Sequence, residues 1–337
     1  MNIIQIGIWL VLFVFVVRWI FAVVLSRRGG KLIQAGKLDR ADALFSWMLK
    51  YYKRNPLILL NQTTIDNHRE DYQSALIKYD KMILSGKGGK FFNTATYGLR
   101  GYLNLHLGRY TEARNDYQTA YEMQSKHNMP IYLSYWGIVA SYFYQKDYIS
   151  TLKETQQILP ILEHELSQIE SHGAYLITSN AKSDLRLKTI YLFINSFKAR
   201  AFAYLGQVDD AKEVFIPLSE KFSDFAPFYF ARAELMFVLG DYLSALSDYQ
   251  KASPIFNDDN LKGLYTTISG YKFHHIVLAE YAVTLFACGE IEQAQAQWRE
   301  LQAKAPLLTS AERVGKEFFW TEAMTAKAKE LEVSLNM

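Results

Sequence analysis

One phrase of residues recurs along this chain and restricts its fold to an array of helix pairs. It joins a small residue, a large apolar residue two positions later and an alanine three positions after that. Its clearest copies are Gly108, Tyr110, Ala113 and Tyr117, and Gly240, Tyr242, Ala245 and Tyr249. The glycine predicts the end of one helix, and the alanine lets a second helix pack closely on the first. Because the phrase returns along the chain, we expect the helix pairs to stack on one another.

Seven units align on this phrase. The large apolar residues that open their second helices are Leu38, Tyr72, Tyr110, Tyr148, Val208, Tyr242 and Ile291. Successive openings lie 34, 38, 38, 60, 34 and 49 residues apart. The two longest steps predict insertions near residues 160–188 and 254–271.

These residues resemble the tetratricopeptide repeat, whose period is 34 residues. The resemblance covers residues 29–306 and implies an all-α, right-handed superhelical solenoid. A soluble helical bundle with a single core is the alternative fold. After this range, Thr309-Ser310-Ala311-Glu312 has the pattern of a capping box and predicts a C-terminal capping helix within residues 307–337.

In the tetratricopeptide repeat family, side chains of the first helices line a concave face on which peptides bind. The matching positions here are rich in aromatic residues, which favour the capture of a helix or an extended peptide. Carried over residue by residue, the candidate partner-binding residues are Asn61, His68, Tyr102, His106, Trp136, Tyr144, Arg200, Tyr204, Phe230 and Glu234. The alternative is that these side chains pack against neighbouring units.

The N-terminal segment predicts one transmembrane helix. Residues 3–25 are almost entirely apolar, and about 23 residues at 1.5 Å each span a bilayer core of ~30 Å. A cleaved signal peptide and a buried soluble helix are the alternatives. Residues 1–28 are thus expected to form a membrane anchor with a basic flank, followed by a hinge at Gly29-Gly30. Its anchoring residues are Trp9, Arg18, Trp19, Arg27 and Arg28.

Basic residues follow the apolar segment and do not precede it. By the positive-inside rule, the C-terminal domain then faces the cytoplasm. The sequence therefore predicts a single-pass membrane protein, in a bacterium one of the inner membrane.

The sequence offers no signature of catalysis or of a metal site. The formal net charge is +3, and lysine and arginine are scattered, so no stripe for nucleic acid is expected. Cys288 is the one cysteine, which excludes an intrachain disulfide and a zinc site made of several thiolates. We therefore expect no catalytic residues, no cofactor, no metal and no small-molecule substrate.

A membrane-anchored scaffold or adaptor that binds a protein or peptide is the leading functional expectation. The layout is similar to that of the lipopolysaccharide assembly protein B family, which implies a role in the assembly of an envelope complex. The two Cys-x-x-Cys pairs of that family's metal-binding module are missing here. A regulatory subunit of a membrane-associated enzyme and an extracytoplasmic chaperone are the alternatives.

Overall fold

The computed structural model describes residues 3–52, 55–86, 89–126, 132–171, 181–256 and 273–335. These residues form seventeen helices, and none of them lies in a strand. The chain divides into two compact units, residues 1–93 and 94–337. The all-α fold is therefore confirmed for the described residues.

Within each described range, short turns separate successive helices. The first unit contains α1 (Ile3–Gln34), α2 (Leu38–Tyr51), α3 (Pro56–His68) and α4 (Tyr72–Ser85). The boundary between the units falls within α5 (Gly89–His106). The second unit continues with α6 (Tyr110–Ser125), α7 (Tyr132–Tyr144), α8 (Tyr148–Ser171), α9 (Ala181–Tyr204), α10 (Val208–Glu213), α11 (Ile216–Phe222), α12 (Ala226–Val238), α13 (Tyr242–Phe256), α14 (Phe273–Ala287), α15 (Ile291–Lys304), α16 (Ala311–Glu317) and α17 (Glu322–Ser334).

All seven predicted turns between paired helices are confirmed. Each second helix begins at the predicted residue, and the residue two positions earlier has a positive φ. Five of these residues are glycines, whereas Glu70 and Lys146 adopt φ of 59° and 64° in the two weakly matching units. In each turn, the residue after the one with positive φ donates its N–H to the carbonyl five residues before it, as Arg109 does to Asn104 at 2.8 Å. This hydrogen bond is that of the Schellman motif, which ends a helix on a left-handed residue.

Small residues let Tyr117 of α6 insert between two first helices. A Cβ atom on Gly137 of α7 would lie 2.3 Å from the Tyr117 ring, and one on Gly101 of α5 would lie 3.1 Å from it. The Tyr117 ring is buried. The predicted role of the recurring aromatic, filling the space between neighbouring helix pairs, is confirmed here.

An ion pair that the sequence pattern did not reveal joins paired helices in two units. In α5 and α6, Arg100 Nε donates to Asp116 Oδ2 at 3.0 Å. In α12 and α13, Arg232 Nε donates to Asp248 Oδ2 at 2.7 Å. Each arginine directly precedes the small residue of its first helix, Gly101 or Ala233. Each aspartate directly precedes the recurring aromatic of its second helix, Tyr117 or Tyr249. The ion pair therefore occupies equivalent positions in the two units.

Prolines modify the helices around the first insertion. The second helix of the fifth unit is split into α10 and α11, with Pro217 in the first turn of α11. Proline lacks the N–H that would continue the ladder of hydrogen bonds, which explains the break. The predicted lengthening of a helix by residues 161–166 is confirmed, since α8 continues past Pro160 to Ser171. Residues 172–180 and 257–272, which hold most of the two insertions, lie outside the described residues.

The predicted transmembrane span is not supported. In the part of the chain that the structure describes, no helix has both the length and the apolarity needed to cross a bilayer. The predicted hinge at Gly29-Gly30 is wrong, because α1 runs through both glycines. Gly29 instead permits close helix packing, since a Cβ atom there would lie 2.2 Å from Cζ of Phe45.

The C-terminal region forms two helices where the sequence predicted one. Helices α16 and α17 are separated by residues 318–321. Ser310 caps α16 by accepting a hydrogen bond from the Arg313 N–H at 3.2 Å, one residue later than the capping-box pattern suggests. Thr321 caps α17 by accepting from the Met324 N–H at 3.2 Å. Helix α17 packs against α14 and α15, as a terminal cap of the array should.

Candidate functional site

Eight of the ten predicted binding residues lie on the first helices of four successive repeats in the second unit. They are Tyr102 and His106 on α5, Trp136 and Tyr144 on α7, Arg200 and Tyr204 on α9, and Phe230 and Glu234 on α12. Residues four apart on a helix share one face, so three of these pairs each project from a single face. The structure thus brings together residues that are far apart in the sequence.

Six of these residues line one small cavity of about 50 Å³. We call this cavity and its lining the central site. The predicted residues in it are Tyr102, Trp136, Tyr144, Arg200, Phe230 and Glu234, and Glu280 of α14 joins them. Its lining combines apolar walls with a few polar groups, as ligand sites do, but its volume is far below the ~300–1,000 Å³ of such sites.

Aromatic rings form one side of the central site. Tyr102 stacks on Trp136 with ring centroids 5.9 Å apart. Trp136 and Tyr144 both contact Phe197 of α9, with centroids 6.3 and 5.7 Å away. Since Tyr102 and Trp136 are buried, these rings are fixed by packing rather than free in solvent.

A buried ion pair also lines the central site. Arg200 Nη1 lies 3.0 Å from Glu234 Oε1, and Ser196 Oγ donates to Glu234 Oε2 at 2.9 Å. The guanidinium also lies over the Phe197 ring, 5.0 Å from its centroid. The Nε of Arg200 is buried and has no hydrogen-bond partner within the described residues. A buried donor without a partner is unfavourable, so an acceptor that reached this N–H would stabilise the site.

Glu280 is a second buried carboxyl group beside this ion pair. It accepts hydrogen bonds from Tyr249 Oη at 2.6 Å and from Trp320 Nε1 at 3.0 Å. Burial, and next the nearby Glu234 carboxylate, raise the pKa of Glu280 to about 8. Burial also raises the pKa of Glu234, against the attraction of Arg200. The Glu280 carboxyl group can therefore remain protonated at neutral pH.

Two residues of the C-terminal region, Phe318 and Phe319, also line the cavity of the central site. We call Phe318–Trp320 the aromatic plug. The Phe319 ring stacks on Tyr144 at 4.9 Å and meets Tyr102 edge-on at 5.2 Å. Phe319 has a φ of 57°, a conformation that is rare for a large side chain. The candidate binding face thus already holds a short peptide segment, supplied by this chain.

His106 and Tyr204 lie beside the central site and not in its lining. Phe319 meets the His106 ring edge-on at 5.7 Å. Burial, and next the positive charge of Lys316, lower the pKa of His106 to about 4, so its imidazole is neutral at pH 7. Tyr204 stacks on Tyr148 at 4.8 Å and is 39% exposed.

The remaining predicted site residues lie in the first unit. Asn61 and His68 are on α3, where the Asn61 amide donates to the Leu57 carbonyl at 2.8 Å and His68 is buried. The five predicted anchor residues are on α1. Trp9, Arg27 and Arg28 are exposed. Within the described residues, no three side chains of the types that bind metal lie close together.

Sequence reasoning missed Glu280 and the aromatic plug. Glu280 is the one acidic residue of α14, an otherwise strongly apolar helix, and that isolation was a usable signal. Phe318, Phe319 and Trp320 form a run of three aromatic residues in a mostly polar C-terminal region. Neither signal identifies a position in space, because both positions depend on how the helices of the second unit pack.

Comparison with known proteins supports the repeat assignment. Tetratricopeptide repeat family models match residues 94–127 and 198–260. No curated protein matches the chain. The chain thus contains tetratricopeptide repeats within an all-α fold.

Solved structures of low sequence identity resemble the chain. A tetratricopeptide repeat protein from Parabacteroides merdae is 18% identical, with a TM-score of 0.45, over 92% of this chain and 97% of that one. The C-terminal part of a repeat-containing protein from Cytophaga hutchinsonii is 17% identical, with a TM-score of 0.39, over 86% and 98%. A Rap protein complexed with competence and sporulation factor is 15% identical, with a TM-score of 0.43, over 93% and 87%.

Proposed function

We propose that this protein is a scaffold that binds a protein or peptide partner and performs no chemistry itself. Tetratricopeptide repeats generally act as protein-interaction scaffolds. The observation that carries the proposal is the central site, where first-helix residues of successive repeats surround a peptide segment, the aromatic plug. We place the partner on this same face, which corresponds to the concave groove of the repeat family.

Capture of partners from native cells tests this proposal. The bait is the full chain, compared with a variant carrying Tyr144→Ala and Tyr204→Ala. These side chains are only partly buried, so their loss should leave the fold intact. Leu243→Ala is the matched control, because Leu243 is 74% exposed on the second helix α13. We expect at least a tenfold loss of one specific partner with the double variant and none with the control. Equal capture by all three would contradict the proposal.

Membrane attachment through α1 is the second part of the proposal. It is supported by the apolar run of residues 3–25 and by exposed apolar side chains there, such as Trp9 and Phe13, 63% and 68% exposed. We place the remainder of the chain on the cytoplasmic side, on the argument from Arg27 and Arg28. The protein should sediment with membranes and resist carbonate extraction, and a reporter fused to the C-terminus should be active only in the cytoplasm. Recovery in the soluble fraction would contradict this part.

An assembly role in the cell envelope is the most specific form of the proposal. It is supported only by the similarity in layout to lipopolysaccharide assembly protein B. Deletion of the gene should increase sensitivity to detergents or large antibiotics, and expression of the full chain should restore resistance. Unchanged envelope integrity and surface appendages in the deletion strain would remove this role and leave the scaffold proposal in place.

A further inference from the structure

The aromatic plug lies between two helices that have contacts of their own with the array or with each other. Helix α17 packs on α14 and α15, and Gln295 Nε2 donates to the Ser334 carbonyl at 2.8 Å. The Ala311 N–H donates to Glu332 at 3.1 Å, which ties α16 to α17. Within the plug, the Trp320 ring also lies 6.5 Å from the buried Trp298 ring of α15. The plug therefore enters the central site from a segment anchored on each side.

Phe319 ends α16 in the same left-handed conformation that closes the seven turns between paired helices. Its φ is 57°, and the Trp320 N–H donates to the Gly315 carbonyl at 2.9 Å, which is the hydrogen bond of a Schellman motif. Its ring also contacts Tyr102, His106 and Tyr144. A partner that displaced the plug would have to replace these three ring contacts.

The contacts of the plug define what the central site recognises. An aromatic slot between Tyr102 and Tyr144 accepts the Phe319 ring, and the Glu280 carboxyl accepts the indole N–H of Trp320. The buried Nε of Arg200 remains without an acceptor among the described residues, and a peptide carbonyl would satisfy it. The site is thus complementary to an aromatic segment like that of the plug, and a further backbone acceptor in such a segment would satisfy Arg200.

We propose that the central site is the receptor for a partner segment with adjacent aromatic residues followed by an indole or similar N–H donor, and that the aromatic plug occupies this receptor until the partner displaces it. This inference rests on the proposed scaffold function and names the partner's chemistry. The plug is an internal competitor, so the apparent affinity of the partner is reduced by the fraction of time the site is closed.

Binding of a labelled peptide tests the inference directly. The probe is a fluorescein-labelled peptide with the sequence of residues 314–323, and a scrambled peptide is its control. The receptor is the full chain, compared with a plug variant, Phe319→Gly with Trp320→Ala. Val333→Ala, an exposed change on α17, is the matched control. We expect the plug variant to bind the probe at least tenfold more tightly than the wild type and the control, and Tyr144→Ala added to it to remove the gain.

Equal binding by the folded plug variant and the wild type would overturn the inference, as would equal binding of the scrambled peptide. A second measurement does not depend on the variant folding. In the wild type, the Phe318 and Trp320 amides donate to the carbonyls of Val314 and Gly315, so they should exchange slowly with deuterium. Excess probe peptide should speed exchange at residues 318–320 while α17 stays protected. Unchanged exchange at saturating probe would overturn the inference.

A second copy of the chain is the competing occupant. A wild-type dimer in solution, in which the plug of one copy occupies the central site of another, would overturn the inference. Light scattering detects such a dimer.

The outcomes also separate this inference from the proposed function. If the Tyr144 and Tyr204 variant loses a partner but no plug variant binds the probe, the scaffold function stands and the plug inference fails. If the plug variant binds the probe but no partner is captured, the plug inference stands and the scaffold function fails.

Discussion

At the scale of single residues, the central site depends on buried polar groups that each need a specific partner. Arg200 pairs with Glu234, and Glu280 accepts from Tyr249 and Trp320. Breaking a buried pair by removing one member leaves an uncompensated charge, which is strongly destabilising. These groups should therefore respond to pH and to substitution more than exposed charges do.

Glu280 should make the protein less stable as the pH rises. Its pKa is raised from 4.5 in the unfolded chain to about 8 in the fold, so between these values the folded state binds a proton that the unfolded state has lost. Its favourable contribution is full below about pH 4.5 and is lost as the pH rises towards 8. In urea unfolding, Glu280→Gln should flatten the decline in stability between pH 5 and 8. Glu322→Gln, at an exposed residue, should keep the wild-type slope, and an unchanged slope in Glu280→Gln would contradict this prediction.

Gly137 should not tolerate even a methyl group. A Cβ atom there would overlap the buried ring of Tyr117, and overpacking of this kind costs about 1–3 kcal/mol. Gly137→Ala should lower the free energy of unfolding by that amount. Gly98→Ala is the control, because its Cβ atom would meet only Leu133 Cδ2, at 3.9 Å. Equal stability of the two variants would show that α6 and α7 do not pack as described.

At the scale of helices, the repeat pattern predicted what is local and missed what is distant. The seven turns follow from residues at fixed short offsets, so their positions could be predicted, even where Glu70 or Lys146 replaces glycine. The six lining residues could be predicted because the repeat family fixes their places on the first helices. The places of Glu280 and the plug in the site could not be predicted, because they depend on contacts between distant segments. Phe319, for example, contacts Tyr102 across more than 200 residues of sequence. The prediction of a hinge in α1 was wrong because Gly29 is needed for close packing against Phe45 and not for a bend.

The recurring ion pair should stabilise the helix pairs that contain it. Asp116 is buried, and it accepts from Arg100 Nε at 3.0 Å and from Asn104 Nδ2 at 2.9 Å. Asp116→Asn and Asp248→Asn should each lower the free energy of unfolding by about 2–4 kcal/mol, since each leaves an arginine without its charge partner. Glu122→Gln, an exposed change on α6, should alter it by less than about 0.5 kcal/mol. Losses as small as the control's would contradict a structural role for the pair.

At the scale of the whole molecule, the second unit assembles one site from helices of five repeats and a C-terminal segment. The lining residues come from α5, α7, α9, α12, α14 and the C-terminal segment, so the site exists only when the repeats stack in order. The first unit adds α1, whose exposed apolar residues form the basis of the proposed attachment to a membrane. We therefore propose that the second unit recognises the partner and that the first attaches the protein to a membrane.

Photo-crosslinking in living cells tests whether a partner binds at the first-helix face of the second unit. A photoreactive residue replaces Tyr204, which lies one helical turn after Arg200 on α9, and in a second strain it replaces Leu243 on α13. We expect a specific crosslinked protein from position 204 and none from position 243. No crosslink at position 204, or the same crosslinks from both positions, would contradict binding at this face.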